Sequence, residues 1–155
     1  MINLNKVASE LKFIGSSIKE VRIDNNIVNL RDDAKMNISM SLNISRVDEI
    51  EHENGSELNG YLTLKLNVTA KVPEKPAYRC KLTISLEGCF SSFMEDKEKF
   101  EKMLYINGGT TLYSIARSHV LNFSSTIFMN GKILLPLINM IEYIEEMEKK
   151  ELPNQ

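Results

Sequence analysis

Tryptophan is absent from this chain, aromatics make up only 7% of it, and its 155 residues include just two cysteines and two histidines. These shortages remove whole classes of function. Cys80 and Cys89 fall in or near one expected strand, an odd number of positions apart, so they point to opposite faces and are not expected to pair. A reducing compartment suits that arrangement. With His52 and His119 far apart in the sequence, no zinc spacing is present and no metal is expected. Charge of one sign is missing as well, since 19 Lys and Arg face 21 Asp and Glu for a formal net charge of -2. A nucleic-acid binder would need a basic stripe to neutralise phosphates, so no nucleic-acid partner is expected. Nor does any apolar run approach the roughly 20 residues that span a bilayer. The longest, Ile133 to Ile138, is broken by Pro136. Met1 to Glu10 is polar and mixed, without an apolar secretion core, so the expected location is the cytoplasm, with no membrane insertion.

What remains is an ordinary globular composition, 43% apolar and 26% charged. The length suits one domain over residues 1–155, with 1–12 and 150–155 expected to be loosely ordered, and it suffices for a core without disulfides. Triplets such as Asn37-Ile38-Ser39 and Asn67-Val68-Thr69 match the glycosylation pattern, but without a secretion signal they read as strand.

Period-two alternation marks strands with one dry face and one wet one. It is cleanest at Met36, Ile38, Met40, Leu42 and Ile44, and recurs from Leu62 to Val72 and from Tyr78 to Leu86. A weaker strand precedes them, with Ile18, Val21 and Ile23 apolar. An acidic loop is expected from Asp48 to Asn59, with a turn at Asn54-Gly55, and a short stop at Pro73 to Pro76. Joins of this kind suit antiparallel neighbours. Three helices follow: a short charged one from Glu95 to Tyr105, a break at Asn107-Gly108-Gly109, a long one capped by Thr110 or Thr111 and running to about Phe128, and a last one from Met140 to Lys150. The expected fold class is α+β, a four-stranded antiparallel sheet with the helices packed on one side.

The search for catalytic chemistry yields nothing specific. Cys80, Cys89, Ser114 and Ser118 could serve as nucleophiles only with His52, which sits among glutamates, or His119, which occupies an apolar helix position. Gly108-Gly109 ahead of Thr110-Thr111 could cradle an anion but lacks a Walker lysine. Asp48, Glu49, Glu51, Glu53 and Glu57 lack the calcium-loop spacing. The reading is a non-enzyme without cofactor. Methionines at 36, 40, 94, 103, 129, 140 and 147 suit adaptable apolar surfaces, because an unbranched thioether repacks against many shapes.

Several short segments, taken in order, resemble the SecB export chaperones. Ala77-Tyr78-Arg79-Cys80 is similar to that family's A-F-x-C, and Gly88-Cys89-Phe90-Ser91 to its G-x-F-x exit from the last strand. Leu112-Tyr113-Ser114-Ile115-Ala116-Arg117 resembles L-F-P-Y-A-R, and Pro136 and Asn139-Met140 fall at the spacing of its proline and Asn-Phe. Ile18 to Asp24 is similar to its first strand, T-K-D-V-S-F-E. The resemblance spans about Ile18 to Met147 and implies an ATP-independent holdase in protein export. Its partners would be unfolded precursor polypeptides and SecA. The alternative it leaves open is a dedicated chaperone of one client, such as an antitoxin in a toxin–antitoxin system, without SecA coupling.

Carried onto this sequence, the resemblance places a client-binding groove at Ile27, Leu30, Met36, Tyr78, Cys80, Leu82, Ile84, Leu135, Leu137, Met140 and Tyr143. Glu20 and Asp24 match acidic SecA-contact positions, although Lys81, with Arg79 beside it, stands where the family has a further acid. Leu112, Ile115, Val120, Phe123 and Ile127 of the long helix would form the interface of a homotetramer (a dimer of dimers) or a dimer.

Overall fold

The computed structural model describes residues 9–151 and has the expected α+β architecture. Strands β1 (Lys12–Asn25), β2 (Lys35–His52), β3 (Gly55–Val72) and β4 (Lys75–Ser92) form one antiparallel sheet in the order β1-β4-β3-β2. Tight hairpins join β2 to β3 and β3 to β4, and Gly55 (φ 125°) and Glu74 (φ 64°) take up their positive φ values. Because β1 lies beside β4, residues 26–34 carry the chain across to the opposite edge, as in a Greek key.

Register explains the alternation seen in the sequence. Directly opposed residues share a face, so Leu42, Leu64, Leu86 and Ile18 make one apolar row across all the strands, and Met40, Leu66, Ile84 and Val21 make the next. The members from β3 and β4 are fully buried, and those from β1 are exposed at the sheet margin. Burying each central Leu or Ile contributes about 1.5–3 kcal/mol. β1 looked weak in the sequence because its ladder slips between Phe13 and Gly15 and again between Ile18 and Glu20. Each bulge flips the phase of the alternation.

Two expectations are corrected. The segment Asp48 to Asn59 is not a loop: β2 and β3 pair through it down to His52 opposite Gly55, leaving only Glu53-Asn54 as the turn. Nor does Asn107-Gly108-Gly109 break the chain. Helix α1 (Lys97–Met103), capped by Asp96 accepting from the Lys99 amide at 3.0 Å, passes through a π-helical turn (Leu104–Gly108) straight into α2 (Gly109–Ile127). The glycines permit close approach. A Cβ at Gly109 would lie 2.8 Å from Leu42 and 3.1 Å from the Met140 sulfur. Thr110 and Thr111 do not cap. Their hydroxyls donate to the Ile106 and Asn107 carbonyls one turn back, at 2.7 and 2.9 Å. Helix α3 (Met140–Glu151) ends the described chain. Of the segments expected to be loose, residues 1–8 and 152–155 lie outside the described residues, whereas Lys12 belongs to β1 and Lys150 to α3.

Candidate functional site

β2 is an outer strand, so one side of its backbone has no strand partner. Helix α3 is bonded to that strand, while the crossover that leads into it and the connector that precedes α3 are both bonded to α2. The crossover 26–34 delivers the chain into Met36 and is tied to the end of α2, where the Leu30 amide donates to the Asn130 carbonyl at 2.9 Å and the Met129 amide to that of Val28 at 2.9 Å. The connector between α2 and α3 is stitched to α2 by Tyr113 donating to the Pro136 carbonyl (2.8 Å) and by the Arg117 side chain donating to that of Leu135 (3.2 Å). It begins at Ile133, whose buried amide donates to Ser124 Oγ at 2.9 Å. Helix α3 then settles on the β2 edge, where the Tyr143 hydroxyl donates to the Met40 carbonyl at 2.9 Å. Burial pushes the Tyr143 phenol pKa up, so it stays a donor.

Between α3 and β2 runs an open cleft of about 390 Å³ lined by Met40, Leu42, Tyr143, Met147, Glu146 and Lys150. On the other flank of α3, against α1 and the π turn, lies a second of about 450 Å³. Ile106, Ile141 and Ile144 line it together with Glu98, Glu101, Glu145 and Glu148. The connector adds open apolar surface, with Leu134 64% and Leu137 83% exposed. The arrangement is a methionine-lined trough beside an unpaired strand edge. It can bury the side chains of an extended segment while its main chain bonds to the sheet edge.

The expected groove residues divide on burial. Met36, Tyr78 and Leu137 are exposed and Tyr143 is part-buried. Ile27, Leu30, Cys80, Leu82, Ile84, Leu135 and Met140 are instead core residues closed within the protomer. Cys80, Leu82 and Ile84 lie mid-sheet on β4, beneath the helices, so they support the site from below and do not line it. Tyr78 stands apart, at the start of β4 with Lys75 over its ring. Met40 and Met147 were overlooked as site residues. The signal for Met147 was its spacing from Met140 and Tyr143 along one helical face.

Of the five residues expected to form an interface on the long helix, two are closed within the protomer. Leu112 and Val120 are fully buried against the sheet, and Ile115, Phe123 and Ile127 are half-buried beside them. The outward face is Thr110, Ser114, Ser118, Asn122 and Ser125, polar and small. Glu20 and Asp24 do lie on the polar sheet face, but not as an acidic patch. Arg22 and Lys65 approach Glu20 at 3.0 and 3.5 Å, and Lys81 stands directly opposite Asp24.

The reactive side chains are dispersed. Cys80 is buried and its thiol is pushed up to about 11, first by burial and then by Asp24, while Cys89 faces the other side of the sheet. His119 stacks on Phe123, and His52 meets Glu57 at 3.2 Å on the β2–β3 hairpin. Among the described residues no group of His, Cys, Asp and Glu is placed to hold a metal ion, and no helix is long and apolar enough to cross a membrane.

No family model matches the sequence, and no curated protein matches it. Among solved structures, the fold is similar to that of the Mycobacterium tuberculosis Rv1957 SecB-like chaperone in complex with a ChAD peptide from the Rv1956 HigA1 antitoxin. The TM-score is 0.56 over 83% of this chain and 90% of that one, at 11% sequence identity. A likeness at this identity establishes a shared fold. The fold is the SecB-like one that the motifs led us to expect.

Proposed function

We propose that the protein is an ATP-independent holdase that keeps non-native polypeptide stretched along the outer side of β2, acting in the cytoplasm as an assembly of several copies. One observation carries this reading: a strand edge without a strand partner adjoins a trough lined by Met40, Tyr143 and Met147, and the connector between α2 and α3 exposes further apolar side chains. Apolar side chains of a client would be buried there at about 25 cal/mol per Å², and edge hydrogen bonds would add affinity indifferent to sequence. Several troughs in one assembly would raise avidity through effective concentration. Neither nucleotide nor metal enters this mechanism.

Between export and service to a single client, the charge pattern favours the second. A SecA-type contact needs a distinctly acidic sheet face, and Glu20 and Asp24 are matched here by Arg22, Lys65 and Lys81. A neighbour of the same fold bound to an antitoxin peptide supports an antitoxin-like client as the example to test first.

The experiment is suppression of light scattering as a chemically unfolded client is diluted into buffer, with wild type and with Met36→Asp and Leu137→Asp. Both positions are exposed, so stability should change by no more than about 0.5 kcal/mol while holding capacity falls several-fold. Wild-type protein that fails to slow aggregation at a stoichiometric ratio sinks the proposal. Measurable SecA binding would restore the export reading.

A further inference from the structure

The polar face of the sheet is not uniform in charge. Several of its cations sit beside a carboxylate: Lys19 with Glu87 at 2.8 Å, Arg22 and Lys65 with Glu20, and Arg46 with Asp48 at 2.8 Å. One corner breaks the pattern. Lys35 of β2 stands directly opposite Lys71 of β3, and Lys71 directly opposite Arg79 of β4, so three cations make a row across neighbouring strands. All are exposed, and none has a carboxylate within 4.0 Å among the described residues. Lys81 follows on the same face, shared with Asp24. Like charges directly opposite one another on a sheet are unfavourable. Here the register repeats the conflict twice.

We infer that this corner is a docking surface for an acidic helical polypeptide segment, separate from the trough beside β2. Geometry sets the class of partner. Strands lie about 4.8 Å apart, so the row spans roughly 10 Å. Carboxylates at positions i, i+4 and i+7 of a helix cover about 10.5 Å along its axis, closer to the row than the roughly 13.6 Å covered by three alternate residues of an extended chain. Charge elsewhere on the face argues against a polyanion. The net charge is -2, and the far end of the same face carries Asp48, Glu57 and Glu87. A nucleic-acid backbone or an anionic membrane laid over the whole face would meet repulsion there, while a short acidic helix touches the basic corner alone.

The test uses the full chain and a synthetic alanine-based helix with Glu at i, i+4 and i+7, beside its Gln twin, followed by fluorescence anisotropy at low salt. Three exposed ion pairs of ordinary strength together amount to roughly a tenfold preference for the Glu peptide. That preference should shrink with added salt and vanish in Lys71→Glu. Because Lys71→Glu places an acid between two cations, it should melt no lower than wild type, and it should hold clients as well as wild type does. A control with Lys97→Glu and Lys132→Glu, exposed cations elsewhere, should keep the preference. Equal binding of the two peptides overturns the inference, as does undiminished binding by Lys71→Glu. So does tighter binding of duplex DNA or phosphatidylserine vesicles than of the Glu peptide at the same ionic strength.

Discussion

Replacing Ser124 by Ala removes one oxygen from the interior and should loosen the whole approach to the trough. Ser124 is fully buried in α2. Its Oγ accepts from the Ile133 amide at 2.9 Å and donates to the Leu121 carbonyl at 3.1 Å. Ile133 is itself buried, so without the hydroxyl its N–H has neither water nor another partner nearby. Stranding a buried donor costs about 1–3 kcal/mol. Alanine returns up to about 0.5 kcal/mol through helix propensity, leaving a net loss of about 1–2 kcal/mol. For a domain of this size that lowers Tm by about 3–7 °C. Ser125→Ala is the matched control, because its exposed hydroxyl donates to the same Leu121 carbonyl at 2.7 Å but receives nothing from the connector. It should melt at or slightly above wild type. Calorimetry at fixed protein concentration reads both, and hydrogen exchange at Ile133 localises the effect. If Ser124→Ala melts with wild type and the Ile133 amide stays protected, the connector is not anchored as described.

Two further outcomes follow from the packing and the buried thiol. Gly60→Ala would put a methyl 2.5 Å from Leu104 and 2.8 Å from Phe100, both fully buried, so it should cost about 1–3 kcal/mol in a denaturant titration, while Gly15→Ala, with nothing within 4 Å, should be close to neutral. Cys80 should resist alkylation at pH 8 while Cys89 reacts, and equal rates in the folded protein would contradict its burial. Because folding raises the Cys80 pKa from 9.0 to about 11, the unfolded chain loses its proton first. The associated stability is complete below pH 9 and falls by on the order of 2 kcal/mol as pH approaches 11, a loss that Cys80→Ala should abolish.

Legibility in the sequence tracked how strongly burial imprints a period. From Leu62 to Ala70 and from Cys80 to Leu86 every second residue is buried, so alternation revealed the strands. Toward the β2–β3 turn, Asp48, Glu51 and Glu57 lie beyond the reach of the helices, and a ladder wetted widely on both faces reads as an acidic loop. The bulges of β1 hid a strand that is otherwise apolar along one face. Gly108-Gly109 read as punctuation because a pair of glycines looks alike whether it opens a turn or lets Leu42 and Met140 come close. The site was harder. Motifs marked β4 correctly, yet no local pattern tells which apolar residues the molecule covers with its own helices. Cys80, Leu82 and Ile84 therefore read as lining, although they lie buried within the protomer. Neighbourhood was equally silent, since nothing within β1 says that its partner is β4.

That partnership orders assembly in time. β2, β3 and β4 each meet the next across a tight hairpin, and can ladder up as they are made. Lys12 waits for Ser91, and Asn25 for Cys80, contacts whose loop-closure entropy is the largest in the sheet. In a polypeptide synthesised from its amino end, the earliest strand is the one whose berth comes into existence last.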